Sequence, residues 1–289
     1  MNNPIIMHIT YCEQGQSIAE ACCKAAEWGY DGVELRSRRL DGSQSAGEYL
    51  DTVVSAVDQS GLKHVLFGYP TANLMLPDAG ERMREVEQAI DFLRAAKALL
   101  GERFAMSNIF AGALRNPDTS VPSNAYERHG SGCAAETQWE AAAEGFRRIG
   151  EVAAGLGLRL AFETHVHYLH DTPTATKRLV QLIDKPSIGI NLDYANCFVF
   201  RDFAPVGEVI KLIGEHLFYV HLKNIIKQAS GEHLRVGLAD GEINNREFLR
   251  LLKRCNYDGF IGLEAPRPGD REWFAREDLA YLRSVMQNL

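Results

Sequence analysis

The sequence predicts a (β/α)8 barrel, and three observations carry that expectation. Short apolar runs and longer amphipathic segments alternate eight times along the 289 residues. Each unit is about 30 to 40 residues long, which suits the ~250-residue fold of eight strands and eight helices. Some apolar runs end abruptly on a polar or charged residue, as in L-R-L-A-F-E at 158–163, and α/β folds collect their chemistry at such strand ends. An open doubly wound sheet shares the alternation, but no G-x-G-x-x-G follows the first run and a count of eight favours closure. A single domain over residues 1–289 is expected, with its active site at the C-terminal ends of the strands.

The elements follow in order. Residues 5–10 (I-I-M-H-I-T) read as a first strand, and Ser17 caps a helix that runs to Trp28 and stops at Gly29. Residues 31–35 (D-G-V-E-L) form a second strand, and a helix over about 46–60 stops at Gly61. The third strand spans 62–67, followed by an amphipathic helix from Asp78 or Ala79 to Leu100 before Gly101. Residues 103–110 give a fourth, more polar strand.

The stretch 111–137 is dense in Gly, Ser, Pro and Asn, too long for an ordinary connection, and reads as a lid or binding loop. A helix over 138–156 leads to the fifth strand at 158–162. Thr172 as N-cap and Pro173 at the first position open a helix to about Asp184. The sixth strand is 187–192, a short helix covers 205–214, and the seventh strand is 217–222. After a polar loop, Asn244 caps a helix to Cys255, the eighth strand is 259–263, and a last helix starts near Asp270.

Bulk properties narrow the function. A net charge of −7 and a pI near 5.8 argue against a phosphate-backbone partner, because nonspecific nucleic-acid binding is mostly electrostatic. No segment approaches the ~20 apolar residues of a membrane span. Six cysteines without a C-x-x-C spacing, and an N-terminal stretch lacking a basic region before an apolar core, lead us to expect a soluble protein of the reducing cytoplasm. The substrate is expected to be small. The oligomeric state stays open, a homo-oligomer included.

At the ends of the last four strands the sequence carries Glu163, Asp193, His221 and Glu264. In a barrel these ends share one mouth. Crowded carboxylates repel one another and take up protons unless a cation holds them ionised, so one bound divalent metal is the economical arrangement. Oxygen donors suit Mg²⁺ and Mn²⁺, and one imidazole shifts the choice toward Mn²⁺, Co²⁺ or Zn²⁺; Mn²⁺ is the expected ion. Taken singly, an acidic strand end is more often a helix cap or ion-pair partner, and His221 competes with a satisfied core histidine. The repetition at successive strand ends favours the metal.

The same residues carry a resemblance. A-F-E-T-H-V-H-Y-L-H-D-T-P, I-G-I-N-L-D-Y-A-N, Y-V-H-L-K-N, G-L-A-D-G-E-I-N and G-F-I-G-L-E resemble the sugar phosphate isomerase/epimerase family within the xylose isomerase-like TIM barrels. The likeness spans most of the chain and is most specific from Leu158 to Glu264. It implies that Glu163, Asp193, His221 and Glu264 bind one divalent metal and that Glu163 and Glu264 exchange protons with the substrate. The chain departs from many relatives in having Asn196 in place of a histidine, Asn224 in place of an aspartate after H-L-K, and Asn244 where Asp is commoner. Asn196 could still donate to a sugar hydroxyl, and Asn244 keeps the capping ability.

The expected reaction is metal-dependent isomerisation or epimerisation of a ketose, keto-polyol or sugar phosphate, by proton abstraction next to a carbonyl through an enediolate. Substrate-contact candidates are Asn196, His165, Glu34 and Arg235, with Arg36 beside Glu34. A surface ion pair between Glu34 and Arg36, and a solvated Arg235, are the competing readings. His8 reads as core, and only one of His165 and His167 is expected to face the mouth. Phe67, Tyr69, Phe110, Tyr168, Tyr194 and Phe198 are candidates for an apolar wall, and His129 and Cys133 lie in the presumed mobile lid. A metal-dependent dehydratase or lyase on a keto-sugar or cyclic keto-acid is the alternative. A trinuclear phosphodiesterase would need more histidines, and a non-catalytic sugar-binding protein would need no metal.

Overall fold

A computed structural model describes residues 1–38, 42, 44–68, 73–229 and 232–289. In chain order the elements are β1 (Ile5–His8), α1 (Ile18–Trp28), β2 (Gly32–Arg36), α2 (Ala46–Ser60), β3 (His64–Gly68), α3 (Ala79–Leu100), β4 (Met106–Ile109), α4 (Glu136–Gly155), β5 (Arg159–Glu163), α5 (Pro173–Ile183), β6 (Ile188–Asp193), α6 (Tyr194–Phe198), α7 (Val206–Ile213), β7 (Leu217–Leu222), β8 (Ile225–Lys227), β9 (His233–Arg235), α8 (Asn245–Arg254), β10 (Phe260–Leu263) and α9 (Arg271–Gln287). Eight parallel strands close in the order β1-β10-β7-β6-β5-β4-β3-β2. Among the described residues no helix is long and apolar enough to cross a membrane.

Local chemistry sets most boundaries as expected. Ser17 and Ser45 each form a reciprocal capping box, with Glu20 and Glu48. Gly29 takes the left-handed conformation at φ +96° and stops α1. The first strand is shorter than expected: the His8 ring accepts the Thr10 N–H and turns the chain into a 3-10 turn over Ile9–Cys12. The fourth strand begins only at Met106, because residues 101–103 form another such turn. The polar stretch after β7 contains an antiparallel hairpin, β8 with β9, and α6 starts directly on Asp193.

Alternation along each strand fills the barrel in layers. Ile6, Leu66, Ala161 and Tyr219, from β1, β3, β5 and β7, pack together as an apolar floor with Met106. Two residues above Met106, the even-numbered staves carry Glu34, Asn108 and Asn191 from β2, β4 and β6, and Gly262 from β10 occupies the fourth place. The floor is apolar; the layer above it is polar. Gly262 makes room for it: a Cβ there would lie 2.3 Å from Tyr219 Oη and 2.8 Å from His221 Cδ2.

The 111–137 stretch is tied down rather than loose. Leu114 N–H donates to the His167 carbonyl, Gly130 N–H donates to the Leu114 carbonyl, and Ala113 bridges Tyr168. His129, expected in a mobile lid, is buried; its Nδ1 accepts the Asn116 N–H and its Nε2 lies 2.9 Å from the Pro122 carbonyl oxygen. Cys133 is half-buried, with Sγ 3.5 Å from the Gly130 carbonyl oxygen. Asp171 Oδ2 accepts the Ser131 N–H at 3.1 Å, so the β5–α5 connection anchors the loop. All six cysteines are free.

Two predictions follow from this packing. Gly262→Ala should displace Tyr219 or His221 and cost about 1–3 kcal/mol in urea denaturation; wild-type stability would show that the barrel yields there without strain. Burial pushes the Asp171 carboxyl up to about 7 against the bonds from Ser131. Its ionisation therefore costs stability progressively as pH rises from about 4 through 7. Asp171→Asn removes that cost, so its advantage over wild type should grow from pH 4 to pH 8, to at most about 4 kcal/mol. An advantage equal at both pH values would exclude ionisation of Asp171 as its source.

Candidate active site

Glu163 ends β5, Asp193 ends β6, His221 sits one residue before the end of β7, and Glu264 follows β10. One donor atom from each lies within 4.8 Å of the others. The sequence expectation that these four converge is met in space. Glu163 and Glu264 stand on the outer strands of a four-strand arc, with β6 and β7 between them.

Each member is held by neighbours that the fold supplies. Asp193 Oδ1 caps α6 by accepting the Asn196 N–H, while its backbone N–H and carbonyl both bond Thr164 Oγ1. Asn196 Nδ2 donates to Glu163 Oε1 and to the Thr164 carbonyl, both at 3.0 Å. Both amide protons are thereby committed within the protein, so Asn196 orients Glu163 and has none left for a sugar hydroxyl. Glu163 Oε2 also accepts from Asn108 at 3.2 Å. Behind it, burial pulls His170 down to about 4; the neutral ring bridges the Glu163 carbonyl and the Ala111 N–H.

Lys223, within Y-V-H-L-K-N, joins the site in addition to the residues that the sequence points to. Buried at 6 % exposure, its Nζ is 2.6 Å from Asp193 Oδ2, 3.0 Å from Glu264 Oε2 and 3.7 Å from Glu163 Oε1. The signal that could have found it is parity: residues 219, 221 and 223 point the same way along β7 and its extension. Burial pushes the ammonium down, but Asp193, Glu264 and Glu163 outweigh it and hold the pKa well above the ordinary lysine value.

The carboxyls respond to the same balance. Burial raises Glu163, but His221 and Lys223 bring it down to about 2. Glu264 falls well below the usual range, burial again being overcome, chiefly by Lys223. Asp193 stays raised, because burial, reinforced by Glu163 and Glu264, prevails over Lys223. Burial lowers His221, yet Glu34 and Glu163 hold it well above the usual histidine value. With Glu34 included, four carboxylates face one ammonium and one imidazole, which leaves two negative charges uncompensated even with the ring protonated.

The donor set fits a divalent cation. Asp193 Oδ2 and His221 Nδ1 are buried atoms without a hydrogen bond of acceptable geometry, and both face charged members of the cluster. Three carboxylates and an imidazole are the ligands that Mg²⁺, Mn²⁺, Co²⁺ or Zn²⁺ accept.

A cavity of about 110 Å³ opens beside the cluster, with His8, Phe110, His165 and Tyr168 on its walls and Glu163 and Glu264 at its edge. His165 thus lies at the mouth, its ring 5.1 Å from that of Tyr168, whereas His167 turns away at φ +66° to the Ser123 carbonyl. His8, read as core, is half-buried and meets His221 edge-on at 5.6 Å. Arg36 pairs with Glu13, and Glu34 turns inward to His221, so no surface pair joins them.

Arg235 is exposed on β9 and is a minor repulsive neighbour of Lys223. Phe67 belongs to the core behind the barrel, against Phe92 and Phe104. Tyr194 bonds the Ala204 carbonyl, and the Phe198 ring carries Lys227 Nζ at 4.2 Å. Tyr69 lies outside the described residues. Asn224 is fully engaged: its amide donates to the carbonyls of Leu238 and Ile243 and accepts from the N–H groups of Ile225 and Ile243, pinning the connection after β7.

A closed barrel with this mouth defines a class, and comparison with known proteins agrees. The chain belongs to the xylose isomerase-like TIM barrel family, whose model matches residues 23–285. It is 26 % identical over 144 residues to inosose dehydratase of Clostridium perfringens, covering 45 % of this chain and 48 % of that protein. Inosose dehydratase of Klebsiella pneumoniae is 21 % identical over 201 residues, covering 64 % and 65 %. The match thus spans about half to two thirds of these relatives' length.

Among solved structures, D-psicose 3-epimerase from Clostridium cellulolyticum with D-tagatose superposes with a TM-score of 0.75 at 17 % identity, covering 98 % and 99 % of the two chains. The 3-keto-D-glucoside 4-epimerase from E. coli gives 0.73 at 18 %, covering 98 % and 100 %. A xylose isomerase-like TIM barrel protein from Mycobacterium smegmatis in complex with magnesium gives 0.75 at 17 %, covering 99 % and 97 %. These likenesses establish the fold.

Breaking the charge balance tests the cluster directly. Lys223→Met should destabilise the chelator-treated protein by about 3–5 kcal/mol, the cost of stranding buried charge. Urea denaturation in excess chelator measures it; a loss below about 1 kcal/mol would mean that solvent, not Lys223, compensates the carboxylates.

Proposed function

We propose that this protein is a divalent-metal-dependent enzyme that moves a proton at the carbon next to a carbonyl of a small polyhydroxylated ketone, and that it acts as an isomerase or epimerase. The observation that carries this reading is the convergence of Glu163, Asp193, His221 and Glu264 within 4.8 Å at the barrel mouth. In this reading those four hold one ion, with Mn²⁺ the favoured metal. The ion, when bound, supplies a Lewis acid that stabilises negative charge on the substrate's oxygens.

The chain's own groups divide the work. Glu163 and Glu264, on opposite sides of the arc, serve as acid and base: one takes the proton from carbon and the other returns a proton from the opposite face, which inverts that centre. Asn196 keeps Glu163 aimed by committing an amide proton to Oε1. Lys223 holds a fixed positive charge where the enediolate's negative charge develops. Phe110 and Tyr168 offer an apolar wall, and His165 a polar edge, for a sugar-sized ligand. The reading takes the substrate to be a free ketose or keto-polyol, because no glycine-rich phosphate cradle is evident in the sequence.

A second reading is dehydration, and one observation favours it: the curated relatives above are inosose dehydratases. The same abstraction would then be followed by loss of β-hydroxyl as water.

Incubation of the Mn²⁺-loaded enzyme with a panel of ketoses and keto-polyols, inososes included, in deuterated water separates the readings. A deuterated isomer supports epimerisation; loss of water supports the dehydratase; neither product nor exchange across the panel would overturn both. Glu163→Gln and Glu264→Gln should each lower exchange at the reacting carbon by ~10²–10⁴-fold, and full exchange in both variants would remove the assignment.

A further inference from the structure

Glu34, a candidate for substrate contact, lines the cavity beside the cluster, and its surroundings give it a further task. It is 1 % exposed, two residues below the open end of β2, in the polar layer beneath the mouth. Its Oε2 accepts from Tyr219 Oη at 2.7 Å and lies 2.8 Å from His221 Nε2, while Oε1 accepts from Asn108 Nδ2 at 3.3 Å. Gly68 leaves room for it: a Cβ there would stand 3.2 Å from Oε1. The other face of the His221 ring turns to the cluster, with Nδ1 3.0 Å from Glu264 Oε2 and 3.5 Å from Glu163 Oε2.

We infer that Glu34 is a positioning residue that fixes the tautomer and direction of His221, so that Nε2 keeps its proton and Nδ1 presents its lone pair to a divalent ion. This inference rests on the reading of the four-residue cluster as a metal site. An ionised carboxylate only accepts hydrogen bonds, so the imidazole nitrogen facing it is the one that bears hydrogen, and the opposite nitrogen is left as the donor of electrons. Carboxylates placed behind metal-bound histidines act in this way generally. Packing alone does not call for this group, because a neutral side chain of similar volume fills such a space without burying charge.

Asn108 extends the arrangement. Its Nδ2 lies 3.3 Å from Glu34 Oε1 and 3.2 Å from Glu163 Oε2, so one amide joins the positioning carboxylate to a proposed ligand on another strand. Tyr219 Oη supplies the remaining tether.

Titration of the full-length protein with Co²⁺, followed by visible absorption, tests the inference without recourse to activity. Glu34→Gln should weaken Co²⁺ binding by ~10–100-fold and alter the absorption bands, and Glu34→Asp, which retracts the carboxylate, should do the same. Tyr219→Phe, which removes one tether and leaves Glu34 and His221 in place, should weaken binding by less. Unchanged Co²⁺ affinity in folded Glu34→Gln and Glu34→Asp would overturn the inference while leaving the metal-site reading intact. A wild-type protein that binds no Co²⁺ would overturn both. Should the Glu34 variants fail to fold, ¹⁵N spectra of histidine in the Zn²⁺-loaded wild type decide: a proton on Nε2 of His221 supports the assignment, and a proton on Nδ1 overturns it.

Discussion

Burying four carboxylates together is the constraint around which this barrel is built. Isolated ionised groups in such a place would shed their charge by taking up protons. Here Lys223 and His221 offset part of it, and the strand ends are spaced so that the remainder converges on one point. The rest of the interior accommodates that decision. An apolar floor of Ile6, Leu66, Ala161 and Tyr219 separates the charged mouth from the bottom of the barrel, and Gly262 leaves the space through which Tyr219 and His221 reach upward.

The family likeness and the chemistry fit each other for a physical reason. Epimerisation at a carbon beside a ketone and dehydration of a hydroxyketone begin with the same loss of a weakly acidic proton, and both profit from positive charge at the same oxygen. A mouth with two glutamates, a fixed ammonium and a metal-competent donor set serves either reaction. What separates them is whether the second proton goes to carbon or to a departing hydroxyl.

Most of the frame was legible in the sequence because its signals are local. The cap at Ser17, stop glycines and the apolar runs placed the eight staves, and the residues closing the last four named the cluster. Features that depend on partners distant in sequence were not legible. The local β8–β9 hairpin escapes for another reason: its strands have three residues each, too short to show alternation. Glu34 reads as a substrate contact or as half of a surface pair with Arg36 until closure of the barrel brings it to His221, 187 residues away. Lys223 reads as a polar residue leaving a strand, and only the meeting of three carboxylates from other staves explains its burial. Asn196 has a donor suited to a ligand, yet the fold spends that donor on Glu163.

The layered interior has a consequence for how this chain can vary. Because side chains alternate faces, removing or adding one residue early in β2 would exchange Glu34 for Val33 or Leu35 on the inner wall, turning the carboxylate toward the surrounding helices. Length changes are therefore tolerable in the connections and intolerable inside the staves. Any remodelling of the protein toward a chosen ligand has its freedom in the segments above the rim, while the wall beneath must keep its count of residues.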